Sequence, residues 1–339
     1  MSYQRVRTPR FYIDIGLFAR HHGIAVFPNA AYEPFFKLNP SNTKLMTPLY
    51  SAANYDYIST VLEVPAGWTN TLQYMAVLGH DFYNDDIDFR IYTRNADDSN
   101  TNEIGSISTV NCNPVVAGDY AESIVNGYSL IRFNKPLEQN NQIVITMRTP
   151  TGVTFNMGDV TAGWMYDMPH SPDLSLKLSY QNESVKSQST KGGHTLTNSG
   201  WSEPPYWGNL PQWMTNDNTE GVGKYRGLTS SSRRTYDLSF SFLDDTDLLN
   251  RDTPGDSRTY FGVMQGRQVP DSAFAFTGLI DSFYSKVVHG TANFKLPFIF
   301  QPDKEVDEFA IVKIDSSSYD LTQTAPNVYN TSMKLVEVW

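Results

Sequence analysis

The chain has 339 residues, 13% of them aromatic and only 18% charged, with a formal net charge of -10. That length carries two domains with real cores, and an aromatic-rich, charge-poor chain is the opposite of a disordered one. The acidic balance holds no block of Lys and Arg, so a nucleic-acid groove, which must neutralise phosphates, is not expected.

Residues 1–50 read as an extended, irregular arm, because Pro9, Pro28, Pro34, Pro40 and Pro48 interrupt any long element. Phe11, Ile13, Phe18, Ile24 and Val26 are too apolar for a solvated tail, so this arm should lie along its own domain or a neighbour. Polar Asp14, Arg20, His21 and His22 break up the apolar character near the start, and no window reaches the roughly 18 apolar residues of a membrane span. A lone cysteine, Cys112, makes neither an internal disulfide nor a thiolate zinc site.

Residues 51–168 read as a β-sandwich. Tyr74–Leu78 is an apolar run, and Ile87, Phe89 and Ile91 alternate with polar neighbours at the period of a half-buried strand. The runs 128–133 and 142–148 follow the same grammar, with turn-forming stretches between them. Asp81, Asp85, Asp86 and Asp88 form the densest set of oxygen donors, the kind a structural calcium takes from a flexible loop. Their spacing departs from an EF-hand, and a solvated acidic turn is the stronger reading of the two. No other cofactor is expected.

Residues 169–339 read as a second β unit with a loop insertion at 198–232. Leu174, Leu176, Leu178 and Tyr180 alternate as a strand, and Gly192-Gly193 mark a hairpin turn. Tyr236, Leu238, Phe240 and Phe242 alternate in the same way. Asp244, Asp245 and Asp247 precede two leucines in the manner of a helix cap. Leu279, Phe283 and Val287 are spaced by four beside Ile280, which predicts one helix ending at Gly290. Strands are expected over 309–314 and 329–338. Inside the insertion, Trp201, Tyr206, Trp207 and Trp213 gather among prolines. Such rings cover a domain's own core, anchor a subunit contact, or stack on sugar faces.

No nucleophile elbow, phosphate-binding loop or metal-binding His-Glu-Xaa-Xaa-His helix is present, so no enzyme is expected. The segments Arg233-Arg234-Thr235-Tyr236-Asp237-Leu238-Ser239-Phe240-Ser241-Phe242, Leu296-Pro297-Phe298-Ile299-Phe300-Gln301-Pro302-Asp303 and Leu335-Val336-Glu337-Val338-Trp339 resemble structural proteins of contractile-tailed marine and cyanobacterial bacteriophages. Over residues 174–339 the resemblance implies the tail-tube and distal-tail fold. In the first half, Tyr74-Met75-Ala76-Val77-Leu78-Gly79-His80-Asp81 is similar to a segment of galactose-binding-like jelly-roll sandwiches. Together these imply an all-β virion subunit of tail or baseplate, made in the host cytoplasm. Its partners would be copies of itself in a ring, trimer or hexamer, other tail proteins and, in the alternative, a host-surface glycan.

Overall fold

A computed structural model describes residues 6–21, 44–46, 50–52, 55–63, 73–80, 88–94, 101–108, 120–125, 127–132, 142–152, 155–157, 159–182, 186–198, 232–248, 282–306, 308–315 and 320–338. The protein is all-β, built on large antiparallel sheets with little helix.

The strands of the first half are β1 (Arg10–Asp14), β2 (Lys44–Met46), β3 (Tyr50–Ala52), β4 (Tyr55–Glu63), β5 (Tyr74–His80), β6 (Asp88–Arg94), β7 (Thr101–Ser108), β8 (Tyr120–Val125), β9 (Gly127–Arg132), β10 (Gln142–Pro150), β11 (Phe155–Met157) and β12 (Asp159–Asp167). Those of the second half are β13 (Lys177–Asn182), β14 (Lys186–Ser189), β15 (Thr195–Asn198), β16 (Ser232–Asp244), β17 (Phe298–Gln301), β18 (Ala310–Ile314), β19 (Leu321–Ala325) and β20 (Val328–Glu337). Helix α1 spans Ile15–His21 and α2 spans Asp245–Leu248, while Tyr284–His289 is a π-helix.

The main sheet has the order β13-β16-β20-β18-β17-β1-β12-β5-β9-β8, with β19 paired to β20. A second sheet, β3-β4-β10-β6-β7, lies within the first half. The main sheet runs without a break across the border expected at residues 168 and 169, because β1 joins β12 on one side to β17 on the other.

That position corrects the reading of residues 1–50 as an irregular arm throughout. Arg10–Asp14 is a regular central strand, and its last four residues are buried. Successive side chains of a strand point to opposite faces, so a strand covered on both faces shows an unbroken apolar run rather than alternation. Phe11 meets Phe283, Phe298 and Phe300 at ring distances of 5.5, 5.7 and 5.4 Å. Tyr12 points the other way, into a cluster with Leu17, Tyr74, Ala76, Leu78, Leu130, Ile299, Phe309 and Ile311. Fully burying one such ring is worth roughly 1.5–3 kcal/mol, so β1 ties two cores together.

Two further corrections concern phase. Leu174 does not begin a strand; it is 90% exposed in the turn before β13. Phe242 does not continue the inward series of Tyr236, Leu238 and Phe240. The β16–β20 pairing shifts register between Phe240 and Leu243, and this bulge turns Leu243 inward and leaves Phe242 82% exposed. The expected helix near Gly290 is present as Phe283 and the π-helix, while Leu279 and Ile280 lie outside the described residues. Gly290 is needed for close approach rather than for a left-handed turn, since its φ is -62°. A Cβ there would stand 2.2 Å from the Lys286 carbonyl oxygen and 2.7 Å from Ile13 Cγ2.

Candidate functional site

Among the described residues the polar groups that the sheet buries are its fasteners. Asp14 ends β1 and starts α1, its Oδ1 accepting from the amides of Gly16 and Leu17 at 2.6 and 3.0 Å. This satisfies two backbone donors that a helix start leaves without helical partners. Asp247 acts similarly at α2, accepting from the Asp244 amide at 3.2 Å, which is one half of a capping box. The capping expected for that aspartate group is therefore present in the structure.

Arg10 donates through Nη2 to Asp167 Oδ2 at 2.8 Å, and Lys304 Nζ lies 3.9 Å from the same oxygen. Arg234 makes the densest set. Its amide and side chain both reach Glu337, its Nη1 reaches Glu308 and its Nη2 reaches the Phe309 carbonyl oxygen. Burial works to lower the Arg234 pKa, but Tyr236 and the Glu337 and Glu308 carboxylates outweigh it and hold it above its ordinary value. The guanidinium stays a cation at any pH at which the protein folds.

The π-helix is fixed to β12 by Lys286. This buried lysine donates to Gln73 Oε1 at 3.1 Å and to the Met165 carbonyl oxygen at 2.9 Å, and the Met165 amide donates to the same Gln73 oxygen. π-helical turns often mark functional sites. Here the lysine donates to a backbone and an amide oxygen, a positioning role.

Tyr74 supplies a test of how dry this interior is. Its hydroxyl is 2.9 Å from Thr161 Oγ1, and burial, reinforced by the Asp14 charge, raises its pKa well above the ordinary value. In the unfolded chain Tyr74 ionises near pH ~10, while in the fold it keeps its proton. Its contribution to stability is therefore complete below about pH 10 and declines as pH rises from there toward the folded pKa. Tyr74→Phe is expected to cost about 1 kcal/mol at neutral pH, from the lost hydrogen bond, and to flatten that alkaline decline. Urea midpoints of both proteins at about pH 8 and about pH 11 check this. Parallel declines would mean that Tyr74 is not the group responsible.

None of the residues expected from the sequence to hold calcium, or to meet a subunit or a glycan through the tryptophan-rich insertion, is brought into a described site. Asp81, Asp85 and Asp86, and the aromatic set Trp201, Tyr206, Trp207 and Trp213, lie outside the described residues. Asp88 opens β6, where its backbone is opposite Arg148 and Ser108. Among the described residues no group of three or more His, Cys, Asp or Glu side chains is arranged to hold a metal ion, and no helix is long and apolar enough to cross a membrane.

The surface carries the features that remain unexplained by folding. Phe242 sits at φ 62°, where a bulky residue is a genuine outlier, and its amide donates to Asn330 Oδ1 at 3.3 Å. Its neighbour in space is the turn before β13. The Asp173 amide donates to the Ser239 carbonyl oxygen at 2.8 Å, and Ser241 Oγ donates to Asp173 Oδ2 at 2.7 Å. Each partner of that last bond is followed in sequence by an exposed apolar side chain, Leu174 and Phe242.

No family model, curated protein or solved structure matches the chain. The functional reading accordingly rests on the chain's own residues and on its surface. The one sequence signal for the Phe242 surface was the doublet Phe242-Leu243, where two apolar residues in succession break a period of two.

Proposed function

We propose that the chain is a virion structural protein, a component of a bacteriophage tail or baseplate that acts by symmetric assembly with itself and with neighbouring tail proteins. The observation that carries this reading is the Phe242 bulge: a rigid antiparallel sheet presents a large aromatic side chain and Leu174 to solvent on a backbone held by hydrogen bonds. Scattered exposed apolar residues are ordinary, but a preorganised aromatic anchor lowers the ordering cost of a protein contact. The jelly-roll-like character of the first half and the tail-tube-like character of the second belong to the same reading. They are supported by the sequence resemblance and by the all-β architecture, and the reading involves no catalytic step.

Light scattering on the purified chain, with and without calcium, tests it. A closed trimer or hexamer is expected, and a calcium-dependent mass would support a structural ion at Asp81, Asp85, Asp86 and Asp88. A strict monomer that also binds no other tail subunit would sink the proposal. A second reading, recognition of a host-surface glycan, is favoured by one feature: half of the six tryptophans fall between Trp201 and Trp213. Silence on a glycan array from folded protein would remove it.

A further inference from the structure

Strands β13 and β16 pair antiparallel, with Lys177 opposite Asp237 at one end and Asn182 opposite Ser232 at the other. The Leu174–Phe242 patch lies beyond the first end. Its surroundings are acidic: Asp244 is exposed, and Asp173 and Asp247 are half-buried beside it.

After three intervening residues β13 is followed by the β14–β15 hairpin, which forms a two-stranded sheet of its own. Its turn is closed by the Thr190 amide on the His194 carbonyl oxygen at 2.8 Å, with Gly193 at φ 83°. Every residue from 187 to 197 is exposed. This stretch contains Lys191 and His194 and no carboxylate, and its one large apolar side chain, Leu196, is 62% exposed. A two-stranded hairpin is marginal by itself in water and gains from a surface to rest on.

The two features are complementary: an apolar patch among carboxylates, and an apolar residue on a hairpin bearing a lysine. They are carried on different sheets: the patch lies on the main sheet beyond the Lys177–Asp237 end of the β13–β16 pair, and the hairpin forms a sheet of its own later in the chain. One copy therefore carries both halves of a contact. We propose that the β14–β15 hairpin of one copy docks on the Leu174–Phe242 patch of the next, Leu196 against the apolar pair and Lys191 against Asp244. Such a head-to-tail contact generates a ring when its rotation closes and a filament when it does not. This rests on the assembly reading above and names the surface through which it would occur.

The test uses the full chain and three variants, Lys191→Glu, Asp244→Lys and the double variant, with circular dichroism to confirm folding and sedimentation to read association. Each single variant places like charges at the contact, so its dissociation constant should rise about tenfold or more. The double variant restores opposite charges in reversed order and should recover to within about threefold of the parent. Phe242→Gly provides an independent arm, because glycine accepts the positive φ while removing the ring. It should weaken association without lowering the melting temperature.

Single variants that associate as tightly as the parent would overturn this contact and leave the assembly reading standing. Failure of the double variant to recover would overturn the Lys191–Asp244 pairing. A parent chain that stays monomeric would overturn the contact and the self-assembly reading together.

Discussion

Gly163→Ala is expected to destabilise the protein by about 3 kcal/mol or more, seen as a large drop in the urea midpoint or as loss of folded protein. Gly163 lies in β12, opposite Asp14 of β1 and Tyr74 of β5. At this point the chain leaves β1 and turns into α1, crossing directly over the glycine. A Cβ would stand 2.0 Å from the Ile13 carbonyl oxygen and 2.9 Å from the Ile15 amide nitrogen. Both neighbours are backbone, so no side chain can rotate away. The two strands must separate, or the β1–α1 corner must move, and Asp14 would then lose its two capping bonds. Gly152→Ala is the control. Gly152 has φ 83° and nothing within 4 Å of an added Cβ, so it should cost only about 1 kcal/mol. Equal effects of the two substitutions would show that backbone conformation, rather than crowding at the centre of the sheet, sets the requirement for glycine.

The same corner explains how much of the fold could be read from the sequence. Alternation along 142–148 marks β10, and the apolar run 309–314 overlaps β18 closely. The 74–78 run is β5, apolar throughout and bounded by polar residues. β1 has no comparable signature. It is five residues long, follows a proline, and is buried on both faces, so its partners at 163–167 and 299–301 cannot be inferred from local pattern. Pairings across such separations are fixed by tertiary packing. Local periodicity also says nothing about a bulge until the register has been set by the partner strand, which is why Phe242 reads as an inward residue. The candidate surface was less legible still. The hairpin at Gly192-Gly193 is visible as a turn signal, but its complementarity to the other end of β13 depends on the pairing of β13 with β16.

The same distinction between local and distant partners governs the buried charges. Glu308, Phe309 and Glu337 lie at sequence distances of 74, 75 and 103 from Arg234. In the sheet, β16 and β20 are antiparallel neighbours in a register that brings Thr235 opposite Val336, which sets Arg234 beside Glu337. Glu308 and Phe309 precede β18, the next strand along, so one guanidinium ties three consecutive strands at their ends.

Glu337→Ala is expected to lower stability by about 3–5 kcal/mol, because removing one partner leaves the other charge buried and uncompensated. The Arg234 side chain is only 12% exposed, and it cannot escape by losing its proton, since its pKa is held above the ordinary value. Glu308 offers only a 3.3 Å contact to the Nη1 nitrogen, so Nε and the Arg234 amide would lose their acceptor. Glu337→Gln keeps the shape and one acceptor oxygen and should fall between the two. The decisive comparison is the double variant Arg234→Met/Glu337→Leu. A buried ion pair recovers little net energy over apolar residues of similar volume, because both charges must be taken out of water. The double variant should therefore be markedly more stable than Glu337→Ala, despite carrying more changes at the same place. Urea unfolding of the parent, Arg234→Met, Glu337→Leu and the double variant in a double-mutant cycle measures this, and additive losses would refute the coupling. If the coupling holds, the contribution of this group is chiefly register. A one-residue slip of β20 would place Val336 or Val338 against the guanidinium and leave the arginine without its carboxylate. Correct pairing of β16 with β20 sets both the bulge that exposes Phe242 and the place where the proposed contact would form.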